Sequence, residues 1–254
     1  SCSTPADGDS PLAGSDAWQT IGPCATPFDR AADGGVEWHV PRAMTRADMD
    51  RVREDFVAAA MRAADAGFDL IELHMAHGYL LSTFLSPASN TRDDEYGGSL
   101  ENRLRFPVEV LAAVRKAWAG PLSCRISATD WIGDAGMTGA DAVQVSLALE
   151  AAGADLIDVS TGGVVPRAQI RFGRMYQAPF AEAIKQAVAI PVMAVGAIQN
   201  TDQANTLLAA GRADLCAMAR PHLARPNLTL VAAAAAGVEP PRFPRPYLAA
   251  KSLL

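Results

Sequence analysis

"EAAGADLIDVS", residues 150–160, joins the end of an alanine-rich helical pattern directly to a short apolar strand pattern. The same order recurs in "DAGFDLIELH" at 65–74 and in "AAGRADLCAMAR" at 209–220. A glycine ends the helical pattern in each stretch: Gly67, Gly153 and Gly211. Glycine readily adopts the left-handed conformation that stops a helix, so the three stretches predict repeated helix–turn–strand units.

Five apolar runs predict strands that alternate with helices from about 68 to 236. The runs are at 68–73, 122–127, 155–159, 190–195 and 215–218. Their near-continuous apolar character is typical of parallel strands that are buried on both faces beneath helices. Helix starts are indicated by Thr45 with Asp48, by Ser99 and by Thr138. Right-handed crossovers between such strands predict either an open doubly wound sheet or a closed barrel.

The chain divides into three parts by composition. Residues 1–43 are rich in Gly, Pro, Asp and Ser and have no sustained period, which predicts an irregular segment with a short hairpin. Residues 44–238 contain the alternating helices and strands, and the proline-rich tail at 239–254 is expected to pack over a barrel end or to reach a partner. A closed barrel of this class needs eight strands, and a five-stranded piece would expose unpaired strand edges.

The acidic balance of the chain, with a net charge of −6 and a pI near 5.2, argues against nucleic-acid binding, which needs a clustered basic face. No apolar run approaches the roughly 18 to 20 residues that span a bilayer, and the first residues lack the pattern of a signal peptide. The cysteines lack C-x-x-C spacing, which favours reduced thiols; they are Cys2, Cys24, Cys124 and Cys216. We therefore expect a soluble, cytoplasmic protein that binds neither nucleic acid nor membrane.

Polar residues and glycines occur where the predicted strands end, and ligands of α/β sheets and barrels bind at these carboxyl ends. The residues are His74, His77, Arg125, the turns "STGG" at 160–163 and "GAIQN" at 196–200, and Arg220. Gly196 and Arg220 follow adjacent strands, where backbone N–H groups and a helix N-terminus can bind phosphate. Alternatively, Gly196 only makes a turn and Arg220 caps a surface.

The stretch "HMAHGY" at 74–79 places two histidines three residues apart. His74 and His77 could be metal ligands, core residues or hydrogen-bond donors aimed at a substrate. A zinc site needs further Cys, His or carboxylate ligands, and the other histidines, His39 and His222, have no ligand-like spacing to this pair. We therefore predict no metal site, and the residues alone leave the other two interpretations open.

A longer stretch, "HMAHGYLLSTFLSPASNTRDDEYGGSLENRLRF" at 74–106, resembles the old yellow enzyme family of FMN-dependent ene-reductases. The resemblance continues through "CRISATDW" at 124–131 and "AVGAI" at 194–198 and covers the chain from about 40 to 235. Within the family, "MTRADMDRVREDF" at 44–56 and "ARPHL" at 219–223 are most similar to the reductase half of anthraniloyl-CoA monooxygenase and salicyloyl-CoA 5-hydroxylase proteins.

The resemblance implies a role for each residue at the strand ends. His74 and His77 would donate hydrogen bonds to the carbonyl or phenolate oxygen of a ligand that lies over the flavin. Tyr79 would donate a proton to the neighbouring carbon. Arg125 would lie against the flavin pyrimidine, where its charge favours the reduced, anionic ring. The residues that would hold the FMN phosphate are Gly196, Ala197, Ala219 and Arg220.

For the whole chain, the resemblance implies a (β/α)8 TIM barrel of which about five βα units are present, since family members place three βα units before the region corresponding to residue 1. It also implies FMN as the cofactor and NADH or NADPH as the hydride donor, with an electron-poor C=C bond as the final acceptor. The substrate would be a small molecule, such as an enone or an aryl-CoA thioester.

Other readings remain open at this point. The front strands of the barrel would lie on an upstream segment, and a homo-oligomer is also possible. Alternatively, the chain is a fragment or assembly module without independent flavin binding. A phosphate-binding barrel enzyme without flavin is a third possibility. Ala219 departs from the glycine that the family usually has there, which puts the phosphate contact at this residue in doubt.

Overall fold

The computed structural model describes residues 17–28, 38–166, 168–238 and 245–246. The strands are β1 (Ile21–Gly22), β2 (Arg42–Ala43), β3 (Ile71–Met75), β4 (Leu122–Ser127), β5 (Leu156–Ser160), β6 (Val192–Val195) and β7 (Leu215–Ala217). The α-helices are α1 (Arg46–Asp65), α2 (Leu80–Leu85), α3 (Leu100–Ala117), α4 (Gly139–Ala151), α5 (Ala178–Lys185), α6 (Thr201–Ala209), α7 (Arg220–Ala224) and α8 (Leu228–Ala235).

Strands β3 to β7 form one parallel sheet, and their order in the sheet is their order along the chain. At least one helix lies between each strand and the next, so every connection is a βα crossover. The five alternating strands predicted from the sequence are confirmed. Because the strands are parallel, all their carboxyl ends lie along one edge of the sheet, which brings the predicted site residues to that edge.

The helix starts follow local capping chemistry. Thr45 and Asp48 form a reciprocal capping box at the start of α1, and Thr138 and Asp141 form a second one at the start of α4. The side chain of Ser99 accepts a hydrogen bond from the backbone N–H of the third residue of α3. The three predicted helix starts are therefore confirmed, because each cap satisfies backbone donors that the first helical turn cannot satisfy itself.

The predicted helix ends are also confirmed. Gly67, Gly153 and Gly211 have φ of +80°, +104° and +69° and follow α1, α4 and α6. Each glycine donates its N–H to a carbonyl three residues back, and the next residue donates to one five residues back. This is the Schellman arrangement, which needs a left-handed residue at the glycine position.

The two faces of the sheet differ in chemistry. Along β4, Cys124 and Ile126 are fully buried in the hydrophobic core beneath the helices. Ser123, Arg125 and Ser127 alternate with them and therefore point to the opposite, inner face. This inner face carries most of the polar groups of the site described below.

Burial on both faces is confirmed for the central strands β4 and β5 but is wrong for the outer strands β3 and β7. Glu72 of β3 is exposed, and the side chain of Leu215 in β7 is 45% exposed. The physical reason is position, since among the described residues each outer strand has a neighbouring strand on one side only.

The first strand of the sheet begins later than the apolar run predicts. The prediction placed a strand at 68–73, whereas β3 covers Ile71–Met75, so His74 lies inside the strand and not after it. Phe68 donates its N–H to the carbonyl of Ala63 to complete the turn after α1 and is 62% exposed. The apolar residues at the start of the run therefore belong to the helix end.

The N-terminal part contains a parallel strand pair where a hairpin was predicted. Ile21 pairs with Arg42 in parallel register, and parallel strands cannot be joined by a tight hairpin. The rest of the predicted segment at 1–43 lies largely outside the described residues, as does the predicted tail at 239–254 except for 245–246. In the part of the chain that is described, no helix has the length and apolar character needed to cross a membrane.

Candidate active site

Two histidines and a tyrosine form a ring cluster at the carboxyl end of β3. The ring centroids of His74 and His77 are 5.2 Å apart, and those of His74 and Tyr79 are also 5.2 Å apart. Tyr79 is the N-cap residue of α2, and 47% of its surface is exposed. The structure thus brings together the three predicted catalytic residues, and it leaves the tyrosine accessible from solvent.

His77 is held by two serines from neighbouring strands. Its ring Nε2 lies 2.7 Å from the hydroxyl of Ser160, and its backbone N–H donates to the hydroxyl of Ser127 at 2.9 Å. The Ser127 hydroxyl in turn donates to the carbonyl of Gly162 at 2.8 Å. Residues from β3, β4 and β5 therefore fix the position of this imidazole.

The backbone around His77 is tightly constrained. His77 has a φ of +60° although it is not glycine, and the following Gly78 has a φ of +75°. A Cβ at Gly78 would lie 2.4 Å from the carbonyl oxygen of Gly163, and a Cβ at Gly163 would lie 2.7 Å from the Cα of His77. The two loops therefore touch backbone to backbone, which requires glycine at both positions.

Both imidazoles are uncharged at neutral pH. Burial, with a further contribution from the charge of Arg125, lowers the pKa of His74, although Glu72 opposes this shift. Burial, followed by the charges of Arg125 and His74, lowers the pKa of His77 to about 4. A neutral imidazole carries one N–H, so when Nε2 of His77 accepts from Ser160, its Nδ1 carries the proton and is free to donate.

Arg125 and Asp158 form an ion pair on the inner face of the sheet. Arg125 lies directly opposite His74 in the β3–β4 register and opposite Asp158 in the β4–β5 register. Its Nη1 is 3.3 Å from Oδ2 of Asp158. Among the described residues, Nε of Arg125 and Oδ1 of Asp158 are buried without a hydrogen-bond partner. Burial raises the pKa of Asp158 to about 6, although the charge of Arg125 opposes this shift.

A cleft of about 770 Å³ opens at the carboxyl ends of β6 and β7. It is lined by all four residues predicted to hold a phosphate, namely Gly196, Ala197, Ala219 and Arg220. Two further arginines, Arg174 and Arg225, also line it, and no Asp or Glu is among the described residues that line it. Arg225 donates to the carbonyl of Gln199 at 3.3 Å. The cleft therefore has the charge expected of an anion site.

The turn after β6 is shaped by a buried glutamine. Gly196 has a φ of +110°, and a Cβ there would lie 2.3 Å from Nε2 of Gln177. That amide donates to the carbonyl of Val195 at 2.7 Å, while its oxygen accepts from the Thr161 hydroxyl at 2.6 Å. Ala197 also has a positive φ, of +52°. Gly196 is thus required by packing as well as by backbone conformation.

The sequence interpretation missed several residues that shape the site. They are Ser127, Asp158, Arg174, Gln177 and Arg225. Ser160 belongs to the turn named at 160–163, but its contact with His77 was not predicted. Asp158 and Ser160 lie in the stretch at 150–160 that predicts a helix–turn–strand unit, but only the register of the strands reveals their partners. Arg174 lies in an irregular loop, where no periodic signal could assign it to the cleft.

The described residues contain no group of three or more His, Cys, Asp or Glu side chains that could hold a metal ion. The described cysteines, Cys24, Cys124 and Cys216, are free. The site therefore consists of imidazole, phenol and guanidinium groups at one edge of a parallel sheet. These groups lie at the strand ends, where α/β proteins of the barrel class bind their ligands.

The chain belongs to the NADH:flavin oxidoreductase / NADH oxidase family, whose family model matches residues 7–236. This membership confirms the resemblance to old yellow enzymes and the TIM-barrel type of the five βα units, and FMN and NADH or NADPH are the cofactors that the family implies. The family is one of flavin-dependent NAD(P)H oxidoreductases that act on small molecules.

Curated relatives include bacterial NADPH dehydrogenases. The chain is 47% identical over 215 residues to the NADPH dehydrogenase of Geobacillus sp. (strain WCH70), which covers 85% of this chain and 61% of the relative. It is 46% identical over 221 residues to that of Geobacillus thermodenitrificans (strain NG80-2), which covers 87% of this chain and 63% of the relative. The chain thus spans less than two thirds of the length of these relatives.

Solved structures with the same fold include a 2-naphthoyl-CoA reductase in complex with 2-naphthoyl-CoA and a morphinone reductase in complex with tetrahydroNAD. The first has a TM-score of 0.75 and 28% identity, and the match covers 87% of this chain and 33% of the other. The second has a TM-score of 0.70 and 28% identity, and the match covers 89% of this chain and 62% of the other.

Proposed function

We propose that this chain carries the substrate-polarising and phosphate-binding part of an FMN-dependent ene-reductase, which reduces an electron-poor C=C bond of a small molecule such as an enone or an aryl-CoA thioester. The observation that carries the proposal is the cluster of His74, His77 and Tyr79 at the same sheet edge as an arginine-lined cleft. Bound FMN supplies the hydride chemistry, and the protein supplies orientation and charge.

The histidine pair is suited to bind a developing oxyanion. His74 makes no side-chain hydrogen bond to another described residue, so its N–H is available to a ligand. His77 can donate from Nδ1 while its Nε2 accepts from Ser160. The pKa of each histidine is lowered, so both rings are neutral. A neutral imidazole stabilises negative charge on a substrate oxygen by donating a hydrogen bond, and it keeps its own proton while it does so.

Tyr79 is the group that would donate a proton to the substrate carbon next to the polarised bond. Its ring packs against His74, and nearly half of its surface is accessible. A phenol at this place can reach a ligand that is bound to the two imidazoles, which is the requirement for a general acid.

The cleft and Arg125 fit the cofactor. Arg220 and the backbone of 196–197 line the cleft, and the Arg220 side chain has no hydrogen bond or ion pair to another described residue, so it is free to bind the FMN phosphate. Arg125 has a buried donor, Nε, that lacks a partner among the described residues. A flavin ring carries acceptor atoms that would satisfy such a donor.

The test measures substrate turnover and flavin binding in the same single-residue variant. We expect His74→Ala to lower the rate of NADPH-dependent reduction of 2-cyclohexen-1-one about 100-fold, because an oxyanion donor contributes about 3 kcal/mol to transition-state binding. Flavin absorbance retained through gel filtration should stay near the level of the unchanged protein. His74→Asn, which keeps an N–H donor, should restore part of the rate. Equal losses of turnover and flavin binding would contradict the assigned role.

A second candidate function is an assembly module that does not hold FMN by itself. It is favoured by the exposed inner side of the outer strands, where Glu72 and Leu215 face solvent. Purified protein of this length that is colourless after addition of FMN and gel filtration would support this candidate, whereas protein that stays yellow would support the ene-reductase.

A further inference from the structure

Two aromatic rings line the arginine-lined cleft, and one of them is strongly exposed. Phe172 is 74% exposed, and its ring centroid is 5.3 Å from that of Tyr176. The ring of Tyr176 is in turn 6.2 Å from that of Trp131, with an interplanar angle of 33°. Phe172 and Tyr176 both line the cleft. An exposed phenylalanine beside a tyrosine offers a flat apolar surface on which a base can stack.

The cleft holds more positive charge than one phosphate needs. Arg174, Arg220 and Arg225 all line it, and the part of the lining that the structure describes contains no carboxylate. A phosphate monoester carries a charge of about −1.5 to −2 near neutral pH. Arg220 lines the cleft together with the 196–197 turn, which is the proposed FMN phosphate site. Arg174 also lines the cleft but belongs to the same loop as Phe172, so it is available to a second phosphate. The side chain of Arg174 has no hydrogen bond or ion pair to another described residue.

We propose that Phe172, Arg174, Tyr176 and Arg225 form a second binding site, for the phosphorylated adenosine portion of a coenzyme. We call these four residues the adenosine site. The exposed Phe172 ring would stack on the adenine, with Tyr176 in edge contact at an interplanar angle of 57° to Phe172. The two guanidinium groups would bind a ribose phosphate, since arginine matches phosphate geometry with two parallel hydrogen bonds. The inference rests on the proposed function, because it places the coenzyme next to the flavin phosphate.

Two coenzymes share this chemistry. NADPH has a phosphate on the 2′ oxygen of its adenosine, and coenzyme A has one on the 3′ oxygen. Adenosine 2′,5′-bisphosphate and adenosine 3′,5′-bisphosphate therefore represent the two sources. Tighter binding of the first assigns the site to the hydride donor, and tighter binding of the second assigns it to an acyl-CoA substrate.

The experiment measures the binding of each bisphosphate to the full chain by calorimetry, with and without saturating FMN. We expect Arg174→Gln to weaken binding of the preferred bisphosphate about tenfold or more, because hydrogen bonds to charged groups are the strong ones. Phe172→Leu should weaken it several-fold through lost stacking. The matched control is Arg171→Gln, since Arg171 is exposed and lies outside the cleft lining. It removes the same charge and should leave binding unchanged.

Three results would overturn the adenosine site. They are no binding of either bisphosphate, an effect of Arg171→Gln equal to that of Arg174→Gln, and displacement of the bisphosphate by FMN one for one. Flavin binding is read separately from the absorbance retained after gel filtration. If the unchanged protein retains no flavin absorbance but still binds a bisphosphate, the result would count against the ene-reductase proposal and would leave the adenosine site in place.

Discussion

At the scale of single residues, the site depends on two neutral imidazoles, one of which, His77, is held in an unfavourable backbone conformation. His77 has a φ of +60°, which costs a non-glycine residue about 1 to 3 kcal/mol. The hydrogen bonds to Ser127 and Ser160 and the close contact with Gly163 hold it there. Such strain persists only where the surroundings over-determine the conformation, and this is common at functional sites.

The buried imidazole of His77 should make stability depend on pH. Its pKa falls from 6.5 to about 4 on folding, so between these values the unfolded chain binds more protons than the folded one. The stability that the neutral ring contributes is therefore fully present above about pH 6.5 and is lost as the pH falls towards 4. Urea unfolding at a series of pH values should show the unchanged protein losing stability in this window relative to His77→Gln.

The comparison with His77→Gln isolates this histidine from other groups. Asp158 has the opposite sign, because burial raises its pKa to about 6 and the folded protein then binds the extra proton. That contribution is common to both proteins and cancels in the difference. A stability difference that does not change between pH 8 and pH 4 would show that the ring is not held neutral.

At the scale of structural elements, glycines decide how helices end and how closely loops approach. The glycines after α1, α4 and α6 face open space or a flexible arginine side chain, so their role is conformational. Gly163 has a second role, because its missing side chain lets the loop after β5 touch the backbone of His77. The contact between the loop after β5 and the loop after β3 thus depends on Gly163 together with Gly78.

Two glycine substitutions separate these roles. Gly98 has a φ of +77° and no atom within 4 Å of the position of an added Cβ, so Gly98→Ala should cost about 1 kcal/mol from backbone strain alone. Gly163→Ala adds a clash with the Cα of His77 at 2.7 Å and should cost about 3 kcal/mol or more. Urea unfolding measures both costs, and equal losses of stability would contradict the proposed contact between the loops.

At the scale of the whole molecule, helices cover one face of the described sheet. Its two outer strands, β3 and β7, each have a neighbouring strand on one side only among the described residues. Leu156 at the start of β5 and Leu215 at the start of β7 point to the same inner face, yet Leu156 is 6% exposed and Leu215 is 45% exposed. An exposed apolar strand with unpaired backbone groups promotes association with another chain or segment.

A pair of lysine substitutions tests this arrangement. We expect Leu215→Lys to change the free energy of unfolding by less than about 1 kcal/mol and to reduce self-association, because the side chain already reaches solvent. Leu156→Lys, which buries a charge in a central strand, should cost several kcal/mol. Urea unfolding and sedimentation velocity at several concentrations give both readouts. A large loss of stability in Leu215→Lys would mean that β7 is covered in solution.

The signals that the sequence determined by itself are local ones. Caps such as Thr45 with Asp48 and the glycine after each helix act on backbone groups within a few residues, so the printed sequence is enough to locate helix ends. The alternation of five strands with helices was also readable from the apolar runs, but the residues left the strand order open between a doubly wound sheet and a barrel. His74, His77 and Tyr79 lie in one short stretch at 74–79, so the sequence alone places them together.

Only the tertiary structure decided how distant residues meet. Strand β3 begins at Ile71, later than predicted, because the N–H of Phe68 completes the turn after α1. The contacts of His77 with Ser127 and Ser160 join positions that are 50 and 83 residues apart in the sequence. The pairing of Arg125 with Asp158 depends on the register of two strands. Such contacts follow from the packing of whole elements against each other, which no single segment of sequence contains.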